Sequence, residues 1–379
     1  MSYSRPRLCI VTPVHGEVFM GGAQYQISCL LDYLRSLDRY DIYYLAHRVP
    51  EGQQLDGYTI RRVGNGKAKS RFGYIIDAPD LYRALSLLRP NVIYQRVGCA
   101  YTGIAAYYAR RRGACLVWHA ANDSDFDRKM RVLERNFVRA FVEASLLAYG
   151  IRRADRVVVQ THHQATLLRD NFSRKADAVI ANFHPAPNEI RVPDEPLRIV
   201  WIANFKRSKQ PDAFLQLAED LRELTCIRFV MIGAPALGGD TAQWNDVLMR
   251  RIAALPNLTY LGQLSQADVN CQLSGAYAFV NTSLYEGFPN TFVQAWLRGI
   301  PVVSLIVNPD GVLNGESVGI HAGTAQRLAE VIRRLVEDRA LRDRMAQNAV
   351  KYAREFHSMK NAERLVQVID GAMSDAPVR

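Results

Sequence analysis

The chain has 379 residues, of which 49% are hydrophobic, and it carries a formal net charge of +11. Because one domain usually has roughly 100–200 residues, this length predicts two domains. No apolar run approaches the ~20 residues of a membrane-spanning helix, which excludes a helical membrane-spanning protein. The first residues lack the apolar core of a signal peptide, and the six scattered cysteines include no C-x-x-C pair. We therefore expect buried, reduced thiols and a cytoplasmic protein.

The positive charge is concentrated in the first half of the sequence. Residues 1–190 contain 27 Lys and Arg against 17 Asp and Glu, a net charge of +10, whereas residues 191–379 contain 21 against 20, a net charge of +1. A basic half either faces an anionic partner or keeps the protein in solution. The sequence has no zinc-finger spacing and no RNP-like aromatic run. Nucleic acid is therefore not an expected partner.

Short apolar runs alternate with helical patterns along the chain. A helix is predicted from about Ala23, and a polar, proline-rich stretch at 182–188 predicts a linker. The last segment is helical from about 325 to 368, and a break near 357–359 leaves a final helix that can fold back onto the first domain. The predicted strands are 8–12, 42–46, 92–95, 115–119, 156–160, 178–181, 197–202, 228–233, 258–262, 278–283 and 301–305.

This alternation predicts an α/β fold, in which parallel sheets are covered by helices on both faces. Two such runs around a linker predict two doubly wound, Rossmann-like domains. We place them at residues 1–190 and 191–358, with a final helix at about 359–379 that packs on the first domain. The cleft between the domains is the expected binding site.

The loop in SLYEGFPNTFVQAW, residues 283–296, is the most informative part of the sequence. Pro289 is expected to rigidify the start of a helix over about 291–298, and Asn290 to cap its first turn. The free backbone N–H groups of such a helix suit a phosphate. Gly287 allows a ligand to approach the backbone closely. The loop therefore predicts a ligand site.

Two polar side chains flank this loop. The carboxylate of Glu286 can accept hydrogen bonds from sugar hydroxyls, and the amide of Gln294, one turn into the helix, can reach a ribose. A capped helix beside a solvated glutamate explains the same periodicity. The pattern of hydrophobic residues alone does not decide between the two interpretations.

A strand followed by E-G-F-P-N-T-x-x-Q-A and R-G-I-P-V-V-S resembles the donor-site signature of the GT-B-fold retaining glycosyltransferases of family 4, the glycosyl transferases group 1. The family pattern is a glutamate, seven residues and a second glutamate. The resemblance implies that Glu286 contacts the donor sugar and that Gln294, which replaces the second glutamate, contacts the ribose. The neighbours implied in the donor site are Gly287, Phe288 and Pro289 for the sugar and ribose, and Asn290 and Thr291 for the diphosphate.

A second segment is similar to the G-R-x-x-x-x-K loop of the same family, whose two cations hold the donor diphosphate. Lys209 matches the lysine, whereas Asn204 stands near the position of the arginine. Lys206 or Arg207 can supply the missing charge. Cations at this place would stabilise the charge of a departing nucleoside diphosphate. Taken alone, the segment is also explained as a solvated basic turn.

Other positions carry weaker parts of the resemblance. Gly21 and Gly22 stand between a strand and a helix, like the glycine loop of the family. His119 ends the strand 115–119, where the family often has a histidine near the reacting sugar, so the resemblance implies a catalytic role beside Glu286. The residues implied near the nucleotide, with less support, are Gly262, Gln263, Leu264 and Asp310.

The run Asp123-Ser124-Asp125-Phe126-Asp127 has two interpretations. Alternate aspartates can hold a hard divalent cation, and the other large glycosyltransferase fold uses D-x-D to bind a metal and a diphosphate. Acidic residues are also favoured in loops and at helix starts. The family resemblance implies no required metal or cofactor, with a UDP- or GDP-linked sugar as co-substrate.

Residues 128–153 predict one long helix with a basic stripe and a separate apolar face. Such a helix can lie at an anionic membrane surface or hold an anionic acceptor, or it can be a core helix with a solvated basic face. The arginines of the stripe are Arg128, Arg131, Arg135 and Arg139. We expect a cytoplasmic protein that can also lie peripherally at the inner face of the membrane.

The resemblance implies a retaining glycosyltransferase that moves a sugar from a nucleotide-sugar donor to a hydroxyl of a glycan or lipid-linked glycan, in the biosynthesis of polysaccharides or other surface glycans. Residues 1–190 would bind the acceptor and residues 191–358 the donor. Two alternatives stay open. One is a nucleotide-sugar epimerase of the same fold, and the other is a non-catalytic protein that binds nucleotide sugars.

Overall fold

Each half of the chain builds one largely parallel β-sheet. The computed structural model describes residues 5–50, 54–55, 57–66, 73–126, 137–235 and 239–375. It divides the chain into two units, one formed by residues 1–183 with 359–379, and one formed by residues 184–358. The second unit begins at His184, whose backbone N–H donates to the carbonyl oxygen of His357 in the same unit, at 3.0 Å. This division lies seven residues before the expected one after residue 190.

The central strands of the sheet in the first unit are apolar and buried on both faces, as expected for a parallel sheet covered by helices. Its strands are β1 (Arg7–Val14), β2 (Asp41–Arg48), β3 (Gln54–Leu55), β4 (Tyr58–Arg62), β5 (Val92–Arg96), β6 (Cys115–His119), β7 (Arg156–Val159) and β8 (Ala178–Val179). They lie in the order β3-β4-β2-β1-β5-β6-β7-β8. All neighbours pair in parallel except β3 and β4. Every residue of β5 and β6 is buried.

Helices cover this sheet. They are α1 (Gly22–Leu37), α2 (Ala78–Leu88), α3 (Ala100–Arg112), α4 (Phe137–Arg153) and α5 (His162–Phe172), with 3₁₀ turns at Gly73–Asp77 and Asp123–Asp125. Helices α3 and α4 pack backbone to backbone: a Cβ atom on Gly103 would overlap the carbonyl oxygen of Leu146, and one on Gly150 would lie against Thr102. Both glycines are therefore required by close helix packing.

The second unit has six strands that are all parallel. They are β9 (Leu197–Ile202), β10 (Ile227–Ile232), β11 (Leu258–Tyr260), β12 (Ala278–Asn281), β13 (Val302–Ser304) and β14 (Gly319–His321). Their order is β11-β10-β9-β12-β13-β14, so the strand order reverses between β9 and β12. In doubly wound sheets, ligands bind outside the carboxyl ends of the strands at such a switch point.

The helices of the second unit lie between these strands and after them. They are α6 (Pro211–Asp220), α7 (Gly239–Ala254), α8 (Gln266–Leu273), α9 (Asn290–Trp296), α10 (Ala325–Glu337) and α11 (Arg339–Phe356), with 3₁₀ turns at Arg207–Lys209, Pro309–Gly311 and Asn314–Glu316. No helix in the described part of the chain is both long enough and apolar enough to cross a lipid bilayer.

The last helix, α12 (Lys360–Ser374), belongs to the first unit. Its apolar face, which includes Leu365 and Ile369, is buried in the same core cluster as Leu8 and Val92 of the sheet. The thiol of Cys115 donates to the carbonyl oxygen of Ala372, at 3.0 Å. The first unit is thus assembled from both ends of the sequence.

The α/β fold and all eleven predicted strands are confirmed. Strands β3, β4 and β14 were not predicted. Strand β4 buries only Ile60 and therefore shows no apolar run. The predicted helical segment from about 325 and its break near 357–359 are confirmed. A further break was not predicted: Asp338 ends α10 and caps α11 by accepting the N–H of Leu341, at 2.8 Å. All six thiols are free, but Cys271 is exposed, contrary to the expectation for a buried thiol.

Candidate active site

The loops that follow β9 and β12 are joined by hydrogen bonds at the switch point of the second sheet. Trp201 at the end of β9 donates its Nε1–H to Thr282 Oγ1, at 2.9 Å. The Thr282 hydroxyl donates to the carbonyl oxygen of Lys209, at 2.6 Å. The backbone N–H of Leu284 donates to the carbonyl oxygen of Ser208, at 2.8 Å. The two predicted donor loops therefore form one connected structure.

Lys209 and Glu286 form an ion pair in this structure. The Lys209 ammonium contacts Glu286 Oε1, which also accepts the hydroxyl of Ser283, at 2.9 Å. The side chains are 24% and 17% exposed. Within the described residues, Glu286 Oε2 makes no hydrogen bond, so it can accept one from a ligand. Sequence analysis predicted both charged residues but missed Ser283, whose only signal is its position at the end of a strand.

The other predicted phosphate-binding residues have different environments. Asn204 Oδ1 accepts the backbone N–H of Ala234, at 3.2 Å, so this side chain stabilises the loop. The guanidinium of Arg207 lies over the ring of Trp244, 5.1 Å from its centroid. Lys206 is exposed and makes no ion pair with any described residue. Lys209 is therefore the cation that the fold places beside Glu286.

The start of α9 differs from the prediction. Pro289 is the N-cap and Asn290 is already helical, so the expectation that Asn290 caps the helix is wrong. Its Oδ1 instead pairs with His184 Nε2, at 3.0 Å, and Thr291 beside it is partly exposed. The helix has seven residues and ends at Trp296, two residues before the expected end. We therefore assign the main positive charge of this site to Lys209.

Two predicted sugar- or ribose-binding side chains are buried. Phe288 packs against the rings of His357 and Trp296, with centroids 4.5 and 6.0 Å away. Gln294 is 4% exposed, and its Nε2 donates to Asn270 Oδ1 at 3.4 Å. Gly287 and Pro289 are buried as well. These four residues support the loop from the core side.

The residues implied near the nucleotide lie at the edge of the same sheet. The carbonyl oxygen of Gly262 accepts the N–H of Gly233, at 2.8 Å. Gln263 is exposed, and Leu264 packs against the apolar core. Asp310 has a left-handed backbone conformation (φ 49°) in the turn Pro309–Gly311. None of these four residues contacts Lys209 or Glu286 through an interaction observed in the described part of the chain.

In the first unit, Gly21 is the N-cap of α1 and Gly22 its first residue. His119 is the last residue of β6 and is 1% exposed. Its Nδ1 contacts the Tyr94 hydroxyl at 2.9 Å and Arg96 Nη1 at 3.3 Å. Burial, with the nearby Arg96 charge, lowers the pKa of His119 well below its ordinary value. Sequence analysis missed Arg96, although an arginine in an apolar strand is unusual.

The aspartate run has the loop and capping role. Asp125 is 5% exposed and accepts three backbone N–H groups, those of Gly98, Ala121 and Asn122, at 2.8–3.3 Å. Asp123 accepts the side-chain amide of Gln164, at 3.0 Å. Asp127 lies outside the described residues. Among the residues that are described, no group of three or more His, Cys, Asp or Glu is arranged to hold a metal ion.

Curated relatives match the chain over part of their length. The D-inositol 3-phosphate glycosyltransferase of Corynebacterium aurimucosum is 21% identical over 246 residues, 59% of this chain and 58% of the relative. The glycosyltransferase 1 domain-containing protein 1 of Xenopus tropicalis is 24% identical over 109 residues, 28% of this chain and 32% of the relative. The matched part of the chain therefore spans 58% of the length of the first relative and 32% of the length of the second.

Solved structures match the whole fold. Sucrose-phosphate synthase from Thermosynechococcus elongatus superimposes with a TM-score of 0.78 at 14% identity, covering 98% of this chain and 100% of the other. The Anabaena HepE protein in complex with UDP and glucose gives 0.73 at 16% identity, covering 97% and 100%. At these identities the likeness shows the fold, which is GT-B, with two Rossmann-like units.

Family models cover most of the sequence in two adjacent matches. The model described as glycosyl transferase 4-like domain matches residues 21–182, which lie in the first unit. The model described as glycosyl transferases group 1 matches residues 183–352, which contain the bonded donor loops. The chain belongs to the group 1 glycosyltransferases.

Proposed function

We propose that this protein is a retaining glycosyltransferase that moves a sugar from a nucleotide-sugar donor to a hydroxyl group of a glycan or lipid-linked glycan. The observation that carries the proposal is the Lys209–Glu286 pair at the switch point of the second sheet. An ammonium group beside a carboxylate suits a diphosphate joined to a sugar, because each group binds one part of that ligand. We assign donor binding to the unit of residues 184–358 and acceptor binding to the other unit.

The chemistry requires charge stabilisation at the leaving group. The bond between the anomeric carbon and the diphosphate oxygen breaks, a bond from that carbon to the acceptor oxygen forms, and the acceptor hydroxyl loses its proton. Lys209 offsets the negative charge that develops on the diphosphate. Glu286 orients the donor sugar through its hydroxyl groups. Ribose binding by Gln294 requires its amide to exchange the long 3.4 Å bond to Asn270 for a ligand.

Ligand-induced stabilisation tests the donor site. At 100 times its dissociation constant, the correct nucleotide should add about 2.7 kcal/mol of apparent stability. For a unit of this size, that corresponds to a rise of about 5–10 °C in melting temperature. We expect one of UDP, GDP or their sugar conjugates to give this shift in the wild type, and Lys209→Ala to lose it.

The control for this experiment is Lys351→Ala, which removes an exposed lysine on α11 of the same unit. This variant should retain the full shift. If no nucleotide stabilises the folded wild-type protein, the donor site is disproved. If Lys209→Ala keeps the wild-type shift, the assignment of the diphosphate to Lys209 is wrong.

The product formed without acceptor separates the three candidate activities. A transferase releases free sugar slowly, because water can replace the acceptor hydroxyl. An epimerase returns an isomeric nucleotide sugar, and a binding protein leaves the donor unchanged. The donor is incubated with the wild type for a prolonged time and then analysed by chromatography. We expect nucleoside diphosphate and free sugar as the products.

Charge supports a peripheral site at the inner face of the membrane. Of the predicted helix 128–153, the structure describes α4, in which Arg139 pairs with Glu143 at 3.5 Å. Val138 and Phe141, one turn apart on this helix, are 69% and 58% exposed. Exposed apolar residues on a basic unit suit an anionic bilayer surface. The other arginines of the expected stripe, Arg128, Arg131 and Arg135, lie outside the described residues.

Sedimentation with lipid vesicles tests this surface. At low salt, we expect the wild type to pellet with phosphatidylglycerol vesicles and not with phosphatidylcholine vesicles, because charge attracts it and salt screens the attraction. The double variant Val138→Ser, Phe141→Ser should bind several-fold less. A matched control is Leu87→Ser, at a 62% exposed position on α2. Absence of the wild type from the anionic pellet would refute the membrane proposal.

A further inference from the structure

A buried polar cluster lies at the carboxyl ends of β5 and β6 in the first unit. It contains Tyr94, Arg96, His119 and Asn182, each at most 3% exposed. The Arg96 guanidinium donates from Nη2 to Asn182 Oδ1 at 2.7 Å, and its Nη1 lies 3.3 Å from His119 Nδ1. The Nε atom of Arg96 makes no hydrogen bond to any residue in the described part of the chain.

Arg96 has no carboxylate partner among the residues that the structure describes. Arginine remains protonated in proteins, so this position is a buried positive charge. Burial of a charge is costly unless an opposite charge or several hydrogen bonds compensate for it. Here, neutral acceptors provide the compensation. If this position served only the stability of the fold, an apolar side chain would pack there without the cost of burying a charge. The buried arginine therefore indicates a further role.

The guanidinium determines which nitrogen of His119 carries the proton. All guanidinium hydrogens are donors, so any atom that faces them closely must be an acceptor. His119 Nδ1 faces Arg96 Nη1 at 3.3 Å and the Tyr94 hydroxyl at 2.9 Å. Nδ1 is therefore the unprotonated nitrogen. The proton of the neutral ring is on Nε2, which is buried and has no partner among the described residues.

We propose that Arg96 is a positioning residue for the transfer reaction: its buried guanidinium holds His119 in the tautomer whose Nε2–H donates a hydrogen bond to an oxygen atom of the bound substrate. The inference rests on the proposed function, because the hydrogen bond from Nε2 is assigned to a substrate of the proposed transfer reaction. It also limits the role of His119. With Nδ1 occupied by two donors and Nε2 protonated, the ring cannot accept the proton of the acceptor hydroxyl.

The groups that face His119 from the neighbouring elements all favour the neutral ring. Burial and the Arg96 charge lower the pKa of His119 well below its ordinary value. Burial raises the pKa of Tyr94 on β5. Burial also raises the pKa of Cys29 on α1, a residue that senses the Arg96 charge, to about 12. Among the residues that the structure describes, no anion contacts the ring to stabilise an imidazolium at neutral pH. The hydrogen-bond donor on Nε2 is therefore expected to keep its form throughout the physiological range.

Nitrogen NMR of the full-length protein tests the tautomer without any substrate. With ¹⁵N-labelled histidine, and His119→Gln to assign the signal, we expect a neutral ring that is protonated at Nε2 and does not titrate between about pH 6 and 8. In Arg96→Met, which removes the charge and the donors at similar length, the pKa of His119 should rise and both neutral tautomers should be populated. Arg96→Lys keeps the charge and should partly restore the wild-type spectrum.

Kinetics complete the test. We expect Arg96→Met to lower kcat by about tenfold or more while KM changes less, because the lost interaction orients a group at the reacting centre. Arg96→Lys should recover part of kcat. Arg61→Met, at an exposed arginine of β4, is the matched control and should leave both the spectrum and kcat unchanged.

Several results would overturn the proposal. A wild-type His119 that is protonated at Nδ1, or that titrates near its ordinary pKa, contradicts the geometry even if Arg96→Met does not fold. An unchanged tautomer and an unchanged kcat in folded Arg96→Met would also refute it. Absence of any nucleotide binding or sugar transfer would instead refute the proposed function, and the NMR spectrum distinguishes that outcome from a wrong tautomer.

Discussion

Replacing Glu286 with glutamine is expected to lower the kcat of sugar transfer by about 10²–10³-fold, the effect of losing one charged contact at a reacting centre. The change keeps the shape of the side chain and its hydrogen bond from Ser283. It removes the charge that pairs with Lys209 and weakens the bonds that the free carboxylate oxygen can accept from sugar hydroxyls. Because the side chain is partly exposed, the melting temperature should change little. Steady-state kinetics with the donor found by the stabilisation screen measures the effect.

The matched control is Glu219→Gln in the same unit. Glu219 lies on α6, where its carboxylate contacts Arg251 at 3.1 Å and is 38% exposed. Loss of this surface ion pair should change kcat by less than about twofold, because exposed ion pairs contribute little. If Glu286→Gln retains more than about a tenth of the wild-type kcat, Glu286 does not orient the sugar during transfer.

Replacing Gly233 with alanine should destabilise the second unit by about 3 kcal/mol or more. Gly233 follows β10 with φ at 149°, a region that residues with a side chain rarely adopt. A Cβ atom would overlap the carbonyl oxygen of Ala203, next to Asn204 in the donor loop. Relief of this clash requires the backbone of the loop after β9 to move. Thermal unfolding should show a fall of about 6–12 °C in melting temperature.

Gly323→Ala provides the comparison. Gly323 also has a positive φ, 77°, but an added Cβ atom would have no neighbour within 4 Å. Its cost should be limited to about 1 kcal/mol of backbone strain. Equal melting temperatures for the two variants would show that the contact with Ala203 relaxes freely. If Gly233→Ala loses the nucleotide-induced stabilisation and Gly323→Ala retains it, Gly233 is required for the nucleotide-binding conformation of the donor loop.

The central pair of the site could be predicted because local patterns locate it. Lys209 and Glu286 each follow a strongly apolar strand, and the carboxyl ends of parallel strands share one edge of a sheet. What sequence patterns do not contain is the strand order. The adjacency of β9 and β12, which lets the two loops bond to each other, follows from the topology of the whole unit.

The failures of prediction have a common cause, since they concern partners that are distant in sequence. Asn290 has the residue type of a helix cap, but His184 occupies its side-chain oxygen. Gln294 was predicted to reach a ribose with its amide, but the side chain is 4% exposed and its amide donates to Asn270 on α8. Arg96 lies in a strand whose pattern indicates burial. Its contact with His119 could not be predicted, because the two residues are far apart in the sequence and meet only through the pairing of β5 and β6.

The position of α12 affects the order in which the protein can fold during synthesis. The first unit lacks one helix of its core until residues 360–374 have left the ribosome, since Leu365 and Ile369 fill that core. The unit of residues 184–358 is continuous in sequence and needs no later segment. Domains usually fold from the amino terminus as they emerge. Here the unit that is made second can complete its core first, and the nascent first unit keeps an apolar face uncovered until residues 360–374 have been made.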